Sequence, residues 1–171
     1  MIPTEEERFA SNLKILIKAI QSQVEKLQRY GKQTIDLTTL SILEGFLMSI
    51  DRNELINGFI ENSHEGWDKI KIRDDDYFVN NAFKVFSKVP VDKINIFREI
   101  YLAKDQNGNL LLSDKLKNDI WNLFDSLIKI SIKYIHRMRK PNNKKQYTKP
   151  FLEQVNLSHH VQNWKINLNW E

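Results

Sequence analysis

SDKLKNDIWNLFDSLIKISIKYIHRMRKP, residues Ser113 to Pro141, decides how the rest of this chain is read. Leu116, Ile120, Leu123, Leu127, Ile130 and Tyr134 recur every three or four residues, and Trp121, Phe124, Ile128, Ile132 and Ile135 widen that stripe. The period is that of an α-helix, and apolar side chains over so much of its circumference place the helix at the centre of a fold. Ser113 is the candidate N-cap. Pro141 ends the element, because its ring cannot extend the helical ladder and the residue before it is driven out of the helical region.

Such a helix needs a long partner, and the N-terminus supplies one. Thr4 and Glu7 have the spacing of a capping box. Phe9, Leu13, Leu16, Ile20, Val24 and Leu27 then continue a helical stripe, and Gly31 stands where a left-handed C-terminal cap is wanted. Between the two rods the pattern predicts about four shorter helices, near Thr38 to Ile50, Arg52 to Glu61, Asp75 to Lys88 and Val91 to Ala103. Asp51 with Glu54, the acids Asp74 to Asp76, and Pro90 are their start signals. No alternating run is long enough to argue for a sheet. The expected fold is all-α: an irregular helical bundle with two long helices (about 4–30 and 113–140), about four shorter ones and a C-terminal arm and tail. Residues 1–140 form the helical domain, and 141–171 a basic arm and aromatic docking tail.

Composition narrows the class. With 171 residues, 41% of them hydrophobic, one domain can bury a substantial core. The absence of cysteine removes disulfides, thiolate zinc sites and cysteine nucleophiles. Met1 to Glu7 lacks the basic start and apolar run of a secretion signal, and no apolar run approaches the ~20 residues of a membrane span. The expectation is an intracellular protein, cytoplasmic or nuclear, with no membrane partner. The 17 Asn, 20 Ile and 19 Lys form a bias that often follows from AT-rich codons, as in some parasites, amoebae, endosymbionts or large viruses, which admits a viral protein in a host cell.

Charge is distributed unevenly. Between Ser126 and Leu152 stand eight basic residues and no acid. Setting that segment aside leaves 18 basic residues against 22 acids, so the formal +4 becomes −4. Lys129, Lys133, Arg137, Arg139 and Lys140 would line the exposed side of the last long helix, continued in the arm by Lys144, Lys145 and Lys149. Such a field suits DNA or RNA, whose phosphates release counterions when neutralised, or an acidic protein. A solvated face is the competing reading, since cations near a helix C-terminus are favoured by its dipole. No zinc-finger spacing, RNA-binding aromatic signature or helix-turn-helix supports nucleic acid further.

The tail carries apolar anchors again. Phe151, Leu152, Val155, Trp164 and Trp170 are too many large apolar groups for a disordered end, so the tail docks on its own domain or on another chain. These five are the candidate protein-interaction residues.

Other constellations are weaker. Asp105 to Leu110, followed by Asp114, resembles part of an EF-hand calcium loop. With Gly108 at the family's turn position, however, the first ligand falls on Ala103, which has no side-chain oxygen, and the last on the short Asp114. A plain helix-helix turn is expected instead. Asp74-Asp75-Asp76, with Asp68 nearby, could gather a divalent ion, but consecutive side chains do not share a helix face. His159 and His160, with His136 and His64, lack the three- or four-residue spacing of helical metal ligands, and adjacent imidazoles diverge. Neither a metal nor a cofactor is therefore expected, and no nucleophile elbow or phosphate cradle marks an enzyme. The sequence reads as a non-enzymatic interaction or assembly protein whose aromatic tail docks on a partner or a second copy. The alternative is a nucleic-acid-associated protein gripping phosphate backbone through residues 129–149.

Overall fold

A computed structural model describes residues 2–29, 37–81, 98–99, 101–104, 107–110, 112–140 and 151–168. In chain order its helices are α1 (Glu5–Arg29), α2 (Leu37–Ser49), α3 (Arg52–Ser63), α4 (Trp67–Lys71), α5 (Asp75–Asn81), α6 (Asp114–Met138), α7 (Phe151–Gln154) and α8 (Leu157–Asn163). A 3-10 turn, His64–Gly66, joins α3 to α4. The fold is all-α. An isolated antiparallel bridge between Lys104 and Leu110 pinches the turn that contains Gly108, whose φ of 81° suits glycine.

The two rods begin where capping predicts. Glu7 N donates to Thr4 Oγ1 at 3.2 Å while Thr4 N donates to Glu7 Oε2 at 3.0 Å, so the box closes in both directions. Ser113 Oγ accepts from Leu116 N at 3.1 Å at the head of α6. Each rod has 25 residues, about 38 Å of helix. The two lie against one another; α2 and α3 pack on α1, α4 and α8 on α6, and α7 on α3. Phe9, Leu13, Leu16, Ile20 and Val24 of α1 are buried, as are Ile120, Trp121, Phe124, Leu127, Ile128, Ile132, Tyr134 and Ile135 of α6.

Aromatic rings fill the space between these helices. Phe9 meets Phe59 edge-on at 5.1 Å, and Phe78 packs on Trp121 (4.4 Å), Phe124 (4.9 Å) and Tyr101 (5.3 Å). Two polar pairs are buried in this core. Trp67 Nε1 donates to Ser63 Oγ at 2.8 Å, and Tyr134 Oη donates to Asn57 Oδ1 at 3.3 Å.

The short helices differ most from the sequence reading. The element predicted over Asp75 to Lys88 is described as far as Asn81; most of the Val91 to Ala103 element, and the Gly31 cap, lie outside the described residues. Helices α4, α7 and α8 were not predicted. Both α4 and α8 stop in Schellman-type turns, with Asp74 N bonded to Lys69 O and Ile166 N to Val161 O, each at 3.0 Å. The left-handed positions are held by Arg73 (φ 58°) and Lys165 (φ 55°), so the glycine that announces such an end is missing.

The tail takes one of its two expected destinations. Leu152, Val155 and Trp164 are 1%, 3% and 2% exposed, buried in this chain's own core, so these three are covered before any partner arrives. The physical reason is apolar packing: α8 lies on α6 and α7 on α3, and the three side chains join the buried cluster formed with those helices. The side chains of Phe151 and Trp170 lie outside the described residues.

Candidate functional site

Three regions collect the chain's remaining chemistry. The first is the junction between α4 and α8. Asn156 caps α8, its Oδ1 accepting from His159 N at 3.3 Å. His159 and Asn163, one turn apart, then face α4 together: His159 Nε2 lies 3.0 Å from both carboxylate oxygens of Asp68, and Asn163 Nδ2 donates to Asp68 Oδ1 at 3.0 Å.

His160 turns inward. It is 5% exposed, its ring meets Trp67 edge-on at 4.8 Å, and its Nδ1 has no hydrogen-bond partner. Burial pushes its pKa below the ordinary histidine value; the charge of Asp68 opposes this, and His159 and His64 reinforce it. Next to this imidazole Trp164 Nε1 is buried without a partner, and Lys71 Nζ stands 4.8 Å over the Trp164 ring. Adjacency on a helix gave no reason to expect His159 and His160 at one carboxylate; what unites them is Asp68, 91 and 92 positions earlier in the chain, a contact that no local pattern encodes.

The second region is the described part of the basic segment, residues 129–140, where two cations have partners within the fold. Arg137 packs against the acidic start of α1: Nη2 donates to Glu6 Oε1 at 2.6 Å, and Nε lies 3.0 Å from Glu5 Oε2. Burial alone would lower the Arg137 pKa, but the Glu6 hydrogen bond and the charges of Glu6 and Glu5 raise it. Arg139 Nη2 donates to the backbone carbonyls of Leu152 and Val155, holding α7. Two of the five cations between Lys129 and Lys140 thus serve the fold. Lys129 is exposed, with Asp125 near enough to feel its charge, while Lys133 and Lys140 are half-buried. Lys144, Lys145 and Lys149 lie outside the described residues.

The third region is the outer face of α2, which the sequence reading did not single out. Thr38, Ser41, Ile42, Gly45, Phe46 and Ser49 are exposed along one helical stripe, and none is charged. Ile42 is 55% and Phe46 38% exposed, and a Cβ built on Gly45 would meet nothing within 4 Å. Ile15 of α1, also 55% exposed, lies one turn from Lys18, which reaches across to Glu44 of α2 at 3.1 Å. The signal was present in the sequence: LTTLSILEGFLMS is apolar around most of its circumference, more than one buried face requires.

The acidic run disperses as helix chemistry requires. Asp74 Oδ1 accepts from Tyr77 N at 3.0 Å, as a cap, and Asp75 Oδ1 accepts from Tyr101 Oη at 2.7 Å. Burial, then that hydrogen bond, pushes the Tyr101 phenol well above its usual range.

No family model matches this chain, and no solved structure matches it. The chain is similar to secreted RxLR effector protein 149 of Plasmopara viticola, 29% identical over 122 residues, which are 67% of this chain and 44% of that protein. It therefore spans less than half the length of that relative. No described helix is long and apolar enough to cross a membrane.

Proposed function

We propose that this chain is a non-enzymatic protein-interaction domain whose binding surface is the outer face of α2. The observation that carries this reading is the exposed, uncharged stripe of Ile42 and Phe46 flanked by Ser41, Gly45 and Ser49. Small residues at every fourth position let a second helix approach closely, and the two large apolar groups supply area that gains from leaving water. A partner's amphipathic helix, laid along α2, fits this chemistry. The description of the similar protein as a secreted effector supports an action exerted on another protein. The tail serves this function indirectly, by completing the bundle that presents α2.

The double substitution Ile42→Glu with Phe46→Glu tests the reading, since both side chains are exposed and the fold can tolerate them. Co-purification of specific partners should be lost, with helix content unchanged. Unchanged partner recovery overturns the proposal, and the solution mass of the unsubstituted chain shows whether the partner is a second copy.

A further inference from the structure

We infer that Asp68, His159 and His160 form a binding site for a divalent transition cation of the zinc type, bridging α4 and α8. One ligand atom from each residue lies within 4.8 Å of the other two. Ligands around a tetrahedral zinc ion at about 2.1 Å stand roughly 3.4 Å apart, so the His159 and Asp68 atoms, at 3.0 Å, already have near-ligand spacing, and the His160 atom lies within 4.8 Å of both. Two imidazoles and one carboxylate suit zinc, copper or nickel; calcium and magnesium prefer all-oxygen cages.

Two further observations point to a ligand. His160 is 5% exposed yet keeps a ring nitrogen with no hydrogen-bond partner, a cost that a buried imidazole normally avoids. Asn163 Nδ2 also donates to Asp68 Oδ1, the kind of supporting contact that fixes a metal-binding carboxylate. Asp68 and His159 are exposed, leaving a coordination position open to water. The ion would close a loop of more than 90 residues between α4 and α8 and so fasten the tail.

The test uses the full chain without a histidine tag, titrated with zinc chloride by calorimetry and with copper(II) by tryptophan fluorescence. One ion per chain should bind, and copper should quench emission, because the Trp67 ring lies 4.8 Å from His160. Asp68→Asn and His159→Gln, both at exposed side chains, should each weaken zinc by about tenfold or more, whereas His136→Gln should leave it unchanged. Absence of binding to the unsubstituted chain, or an affinity in Asp68→Asn and His159→Gln unchanged from that of the unsubstituted chain, overturns the inference.

Discussion

The guanidinium of Arg139 reaches the carbonyl of Val155, donating from Nη2 at 2.8 Å, and the same nitrogen donates to the Leu152 carbonyl. A residue that reads as part of a phosphate-binding surface is thus the clamp that seats the tail. Replacing Arg139 by Met removes two charge-assisted hydrogen bonds and should cost about 2–3 kcal/mol in urea unfolding. Arg139→Lys should recover only part of this, because an ammonium lacks the planar fork. Hydrogen exchange of Leu157–Asn163 should accelerate in both variants, more so in Arg139→Met.

Arg137 makes a second such prediction. With Glu5 7% exposed and Glu6 half-buried beside it, Arg137→Leu strands two carboxylates and should destabilise by about 3 kcal/mol. Adding Glu6→Gln should return part of the loss, a coupling that a double-mutant cycle in denaturant reads directly. Weakened retention on DNA or RNA by an Arg137 variant would then report lost folding rather than lost phosphate contacts.

Gly66 is required by packing. A Cβ there would stand 1.6 Å from Tyr77 Oη, so Gly66→Ala must push the phenol away and should cost about 1–3 kcal/mol by thermal or chemical unfolding. In combination with Tyr77→Leu the cost should be less than additive.

Lys165 runs the other way. Its φ of 55° is a conformation that glycine adopts freely, so Lys165→Gly should stabilise the chain by about 1 kcal/mol, seen as a higher Tm.

The long elements were legible because their signals are local. The Thr4–Glu7 box, the Ser113 cap and two stripes of helical period fix α1 and α6 without reference to anything distant. The tail helices were not, since α7 has four residues and α8 seven, and α8 ends on Lys165 where a glycine would have marked it. The histidines were weighed on their own helix, where adjacent rings diverge, while the group that gathers them is Asp68 on another element. The partners of Arg137 are just as remote: the acids that answer it are Glu5 and Glu6, at the opposite end of the chain.

The central claim, that α2 presents the binding surface, is tested most directly by site-specific photo-crosslinking in cells that express the chain. A benzoylphenylalanine in place of Phe46 keeps the ring and its exposure; the same group at Lys115, on the solvated start of α6, is the control. The account predicts a discrete adduct from position 46 that is absent from position 115. No adduct at 46, or the same adducts from both positions, would contradict it.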